Sequence, residues 1–229
     1  MLANIKTMKH LLNIGFFLCI QLIVAQDLNQ MDANGKRHGL WKKTFPGTDV
    51  VRYQGEFDHG KEVGVFKFYK NIDGAPVLFA TKQFNPKDNL ALVKFYTAKG
   101  HVVSQGKMDG KKHIGQWLYY HKNSTNVMRQ ETYNNAGELH GKVLIYYKNG
   151  TLAEQSHYRN GQMNGQSVIY SESGVKLKAF TYLHGKLDGP AKFYTSSGDL
   201  ILEGQYKNDK KQGVWTYYKN GKVTDTKRY

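Results

Sequence analysis

Apolar and polar residues alternate over short stretches along most of this chain, and glycine-centred polar clusters break the alternation at regular intervals. In Trp117-Leu118-Tyr119 and Trp215-Thr216-Tyr217 the aromatic residues stand two apart. That spacing puts both rings on one face of an extended strand. No segment carries apolar residues at i, i+3, i+4 and i+7 over a dozen positions, and glycine recurs too often for helix. The pattern predicts short strands joined by turns.

The pattern also repeats. Runs opening at Gly141, Gly165, Gly189 and Gly213 are each 24 residues apart. Earlier runs open at Gly39, Gly64, Ala91 and Gly115 with slightly longer and less even steps. Five residues after the opener stands Tyr69, Tyr96, Tyr120, Tyr146, Tyr170, Tyr194 or Tyr218, and a turn glycine follows, as at Gly100, Gly150, Gly174, Gly198 and Gly221. A second run then ends on an aromatic residue, Phe57, Phe84, Tyr133, Tyr158, Tyr182, Tyr206 or Tyr229. Asn149-Gly150 and Asn220-Gly221 read as tight primed turns, because such turns need positive φ. Asn160-Gly161, His184-Gly185 and Asn208-Asp209 read as looser turns closing each repeat.

One repeat is therefore strand, tight turn, strand, looser turn. A lone hairpin is marginal in water, whereas stacked hairpins pair their edges and share an apolar row. The expected fold is all-β: an elongated, twisted, single antiparallel sheet of about eight tandem hairpins and about sixteen strands. At ~4.8 Å per strand it would be of order 75 Å long, with strands ~20 Å in length. Aromatic residues four and five positions after each opener should point to opposite faces, one packed and one open to a partner.

Composition agrees and adds a leader. Sixteen tyrosines, eleven phenylalanines and 24 glycines suit a pleated, turn-rich chain rather than a disordered one. Lys9 and His10 precede a largely apolar run from Leu11 to Val24, followed by Ala25. This is the layout of a secretory signal peptide over 1–25, too short for the ~20 apolar residues of a spanning helix. Residues 26–34 form a polar leader, and 35–229 the repeat array. Cys19 lies within the apolar run after Phe17 and Leu18, which does not suit a lipid-attachment signal, and it is the single cysteine. The exported chain would have no disulfide. Net charge is +15 overall, and about +13 without Lys6 and Lys9.

The repeated string, glycine, then Trp or an aliphatic residue, then two aromatics, then Asn-Gly and a closing Tyr-x-Asn/His-Gly, resembles the membrane occupation and recognition nexus repeat, MORN. It is most similar to the bacterial variant in the YwqK-type antitoxin-repeat family. The likeness covers about Gly35 to Tyr229. It implies a β-hairpin array that binds or scaffolds, in some cases in contact with phospholipid. The antitoxin label implies a protein that neutralises a partner protein, which sits poorly with an export signal.

Two sets of residues are candidates for contact. Trp117, Tyr119, Tyr120, Tyr146, Tyr147, Tyr170, Tyr194, Trp215, Tyr217 and Tyr218 could dock a protein or stack on a glycan, or form a ladder that packs only on itself. Lys61, Lys111, Lys122, Lys148, Lys186, Lys210, Lys211 and Lys219 fall at turns. They could gather positive potential for an anionic lipid surface, or keep strand edges soluble. No nucleic-acid-binding motif is present, and no nucleic-acid partner is expected. His38, His59, His113, His140 and His184 fall near turns without a ligand-spaced pair, so no metal and no cofactor are expected. No catalytic motif is present and acids are scattered, so the chain reads as a non-catalytic scaffold of the cell envelope, periplasmic, surface-bound or secreted. The last strand could be an open edge that pairs with a second copy.

Overall fold

The computed structural model describes residues 27–229. The expected signal peptide and Cys19 lie outside the described residues. Among the described residues there is no helix, and eighteen strands form one antiparallel sheet. They are β1 (Gln30–Met31), β2 (Arg37–Thr44), β3 (Val51–Asp58), β4 (Lys61–Ile72), β5 (Ala75–Phe84), β6 (Leu90–Tyr96), β7 (Val102–Asp109), β8 (Lys112–Tyr120) and β9 (Val127–Tyr133). The second half comprises β10 (Gly141–Tyr146), β11 (Leu152–Arg159), β12 (Gln162–Tyr170), β13 (Lys176–Leu183), β14 (Lys186–Leu187), β15 (Gly189–Tyr194), β16 (Leu200–Lys207), β17 (Lys210–Lys219) and β18 (Lys222–Arg228). Strands pair with their chain neighbours, except that β15 and the two-residue β14 both pair with β13. The expected hairpin array is the fold, and sixteen strands are six residues or longer.

The turns differ from what the sequence suggests at all but Asn220-Gly221. His59-Gly60, Asn160-Gly161, His184-Gly185 and Asn208-Asp209 are the two-residue turns, with both residues at positive φ as a type I′ turn demands. Asn149-Gly150 belongs instead to a three-residue loop. There the Gly150 N–H donates to the Tyr147 carbonyl and the Tyr147 N–H to the Thr151 carbonyl, with only Gly150 left-handed at φ 87°. Loops at Thr97–His101, Ser171–Val175 and Thr195–Asp199 repeat this bonding. Asn220-Gly221 is a two-residue turn as expected.

A β-bulge also recurs near the loop that joins the two strands of each hairpin, whatever the length of that loop. The register skips one residue opposite the fourth and fifth positions after the opener: Val103 faces Phe95/Tyr96, Met128 faces Tyr119/Tyr120, and Leu177 faces Ile169/Tyr170. An extra residue at the same place in successive hairpins bends each strand alike, so the array keeps one sense of twist.

The register assigns every strand residue to a face. On the packed face lie Phe57, Phe66, Val93, Trp117, Val143 and Trp215, all buried. Their packing follows a size rule across neighbouring strands. Phe66, Trp117 and Trp215 lie flat over Gly55, Gly106 and Gly204, which leave no room for a side chain. Where the ring position is small the partner is larger or matched, as with Ser156 and Ser167, which pair directly. Ring and glycine are always 11 residues apart, a spacing visible in the sequence but not part of the expectation. Trp117 is sandwiched by His113, whose ring stacks at 3.6 Å, with Phe95 and Tyr119 at 6.3 Å. Its indole N–H donates to the Lys107 carbonyl at 2.9 Å, and Trp215 does the same to Gln205 at 3.2 Å. Beside Trp117, the buried Glu131 accepts from Arg129 at 2.6 Å and from the Tyr133 hydroxyl at 2.5 Å. Burial, and then the bond to Glu131, hold the Tyr133 hydroxyl well above the ordinary tyrosine range.

His113 makes this packing sensitive to acid. Burial lowers its pKa, and the Glu131 carboxylate only partly opposes that. The folded chain thus binds fewer protons there than the unfolded chain. The stabilisation is full above the ordinary histidine pKa and is lost as pH falls below it. Thermal midpoints measured from about pH 8 to about pH 5 should fall less steeply in His113→Phe than in the native chain. Equal slopes would mean that His113 carries no such linkage.

Candidate interaction surface

The opposite face is built differently. One row of paired residues crosses all sixteen long strands: Lys42, Gln54, Lys67, Thr81, Lys94, Gln105, Leu118, Gln130, Leu144, Gln155, Val168, Ala179, Lys192, Glu203, Thr216 and Thr226. Being one residue from the packed positions, the row points to the other side of the pleat. Lys42, Lys67 and Lys94 occupy alternate strands, ~10 Å apart, and no acid enters the row before Glu203. That spacing slightly exceeds the ~8 Å Debye length at physiological salt, so their mutual repulsion is largely screened and the three can stand on one face.

Tyrosines roof this row. The Tyr96 hydroxyl lies 3.1 Å from the Thr81 hydroxyl, Gln105 donates to Tyr120 at 2.6 Å, and Tyr218 donates to Glu203 at 2.6 Å. Each tyrosine reaches a row residue 15 positions earlier, so the bond is a property of the repeat. Lys192 completes a small network at 3.0 Å from Glu203. The Tyr218 hydroxyl, and then Lys192, hold the Glu203 carboxyl below the ordinary glutamate range, and Glu203 in turn raises Lys192.

Apolar side chains are left open on the same face. Val65 is 50% exposed, Leu92 56% and Val214 49%, and the register places all three beside the row. Across β4 to β8, Val65, Leu92 and Leu118 line an open groove of about 600 Å³ with Thr81, Lys94 and Tyr96. A second hollow shares Gln83 and Leu92 and runs on to Pro86 and Lys107. The surface therefore combines aliphatic floor, tyrosine roof and ammonium groups.

The expected contact residues divide between the faces. Trp117 and Trp215 are fully buried, which corrects the expectation that they meet a partner: each ring is consumed by its glycine and its neighbours. Tyr119 and Tyr217 share that packed face, half-buried. Tyr120, Tyr146, Tyr170, Tyr194 and Tyr218 lie on the groove face. Tyr147 is at a loop, where its hydroxyl donates to the Tyr170 carbonyl at 2.9 Å and ties two repeats together.

The turn lysines divide between two edges. Lys61, Lys111, Lys186, Lys210 and Lys211 sit at the two-residue turns, and Lys122, Lys148 and Lys219 at the opposite ends of the strands. Two of them are engaged internally. Lys61 donates to the Pro86 carbonyl at 2.7 Å, and Lys211 lies 4.2 Å over the Trp215 ring. Sequence reasoning passed over Lys42, Lys67 and Lys94 because they are mid-strand. Their signal was their shared place, three residues after the openers Gly39, Gly64 and Ala91.

A family model described as the MORN repeat variant matches residues 139–160 and 187–208. Those segments contain the β10–β11 hairpin and the hairpin of β15 and β16, and their three-residue loop recurs between β6 and β7 and between β12 and β13. No curated protein matches the chain. Among solved structures, a chain of the TcdB2–TccC3–Cdc42 crystal structure is 14% identical over 82% of this chain, with a TM-score of 0.21. This chain spans 13% of that one. A protein of unknown function from Bacteroides fragilis NCTC 9343 is 10% identical over 77% of this chain and 96% of its own length, with a TM-score of 0.18.

Proposed function

We propose that this chain is an exported, non-catalytic scaffold of the cell envelope that binds a protein or glycan partner on the groove face. The observation that carries the reading is the division of labour between faces. The aromatic side chains with the most area are used up in packing, while the opposite face leaves Leu92 and Val65 open beside a tyrosine row. Exposed aliphatic groups in a concave, polar-rimmed surface are the usual mark of a docking site. Lys42, Lys67 and Lys94 suit a partner that bears negative charge. A second reading, a peripheral binder of anionic lipid, draws support from the turn lysines along both edges, and it predicts steep salt sensitivity.

The two readings part in one experiment. The full chain is used to capture ligands from the native envelope fraction, with low-salt and high-salt washes, and bound protein, glycan and lipid are identified. Under the scaffold reading one specific partner survives high salt. Leu92→Glu combined with Lys94→Glu lowers its retention by about tenfold or more, and Lys148→Glu with Lys219→Glu leaves it unchanged. Anionic lipid that is lost at high salt, and lost in the turn double variant, would replace the scaffold with the membrane binder.

A further inference from the structure

At the N-terminal end of the array, the type I′ turn at His59-Gly60 brings together residues far apart in sequence. His38 Nδ1 lies 3.6 Å from Asp58 Oδ1, and His59 Nε2 lies 3.8 Å from the same oxygen. The ligating atoms of His38, Asp58 and His59 all fall within 4.8 Å of one another. The two imidazoles are near-parallel, with centroids 4.7 Å apart and planes inclined by 30°. Behind them, Asp32 Oδ2 lies 2.6 Å from His59 Nδ1. Its carboxylate side chain is only 7% exposed, and the Asn34 and Lys36 N–H groups donate to its other oxygen.

This is the layout of a carboxylate–histidine–metal relay. With Asp32 accepting the Nδ1 proton, the tautomer of His59 that can bind a metal presents its Nε2 lone pair. Two imidazoles and one carboxylate suit Zn²⁺ and its neighbours in the first transition row, not Mg²⁺ or Ca²⁺, which take oxygen ligands. Tetrahedral ligands at ~2.0–2.1 Å from zinc are ~3.3 Å apart. Two of the three spacings are within about 0.5 Å of that figure; His59 is held by Asp32, and the solvent-exposed side chains of Asp58 and His38 can close the rest, His38 Nδ1 exchanging its 3.5 Å contact with the His59 backbone N–H for the metal.

We propose that His38, Asp58 and His59 form a binding site for a divalent transition-metal ion of the zinc class, with Asp32 as the outer residue that orients His59. The fourth position is open to water or to a ligand from a partner. This site is independent of the groove, because it uses no residue of the groove.

Titration of the full chain, carrying Cys19→Ser so that no thiol competes, with Co²⁺ and then Zn²⁺ tests the site. The site predicts one saturable Co²⁺ per chain with visible d–d absorption, displaced by Zn²⁺ and not by Mg²⁺. His59→Asn and His38→Gln should each weaken binding by tenfold or more. Asn tolerates the left-handed φ of 46° at position 59, so the turn survives the change. Asp32→Asn should weaken it by about 10–100-fold, as outer residues do. His184→Asn, the same change in the corresponding turn of a later hairpin, should leave binding unaltered. Absence of a saturable site, or equal losses in His59→Asn and His184→Asn, would overturn the proposal.

Discussion

Replacing Trp117 with alanine is expected to cost about 3–5 kcal/mol of stability, the range for removing a buried aromatic side chain. The ring has no exposed surface. It is stacked on His113, flanked by Phe95 and Tyr119, and set against Val93 and Met108 in the central cluster of the packed face. Its loss opens a hollow above Gly106 that nothing nearby can fill, and it leaves the Lys107 carbonyl without the indole donor. In a repeat array the damage is felt mainly by neighbouring hairpins. Hydrogen exchange of the β7 and β8 amides is therefore the apt measurement, and protection there should fall by about a hundredfold or more. Leu92→Ala, on the exposed face, should change stability by about 0.5 kcal/mol or less. A comparable small loss for Trp117→Ala would contradict the packing described above.

Gly106→Ala should also be destabilising, by about 1–3 kcal/mol or more, although it adds only a methyl group. A β-carbon on Gly106 would lie only 2.5 Å or less from carbons of the Trp117 indole, and His113 stacked on that ring blocks its retreat. The more telling result is the combination. In the Trp117→Ala background the obstacle is gone, and Gly106→Ala should become neutral or mildly stabilising, because glycine weakens a strand interior. A double-mutant cycle of denaturation or exchange free energies should thus reverse the sign of the Gly106 effect. Simple additivity would show that glycine and ring do not depend on each other.

The repeat, the strand pairs and the two-faced pleat were legible because each rests on local spacing, which a 24-residue period displays many times over. Two features were legible but passed over. The glycine 11 residues before Phe66, Trp117 and Trp215 announces the flat ring, and the lysine three residues after Gly39, Gly64 and Ala91 announces the groove row. Turn type was misread because Asn-Gly occurs in both kinds of loop. What separates them is whether Lys148 lies inside the loop or on the strand, which the hydrogen-bond register decides and the dipeptide does not. The His38, Asp58 and His59 cluster was beyond reach for a similar reason: these residues meet only once β2 and β3 adopt their register and β1 folds back to supply Asp32. The burial of Trp117 and Trp215 was missed because an open single sheet gives no second layer to hide a ring, and the cover comes instead from residues on the same sheet.

The strictly neighbouring order of the strands has a mechanical side. Backbone rungs in an antiparallel sheet run across the strands, so here they run along the length of the array. Tension applied between its two ends is carried by one rung pair at a time rather than by many in parallel. The molecule would then yield as a zipper does, from an end, one hairpin after another. Each hairpin of 24 residues would release about 80 Å of contour. An array of this kind is a poor rivet but a good shock absorber, able to lengthen in steps under load and to recover as each hairpin closes on the one before it.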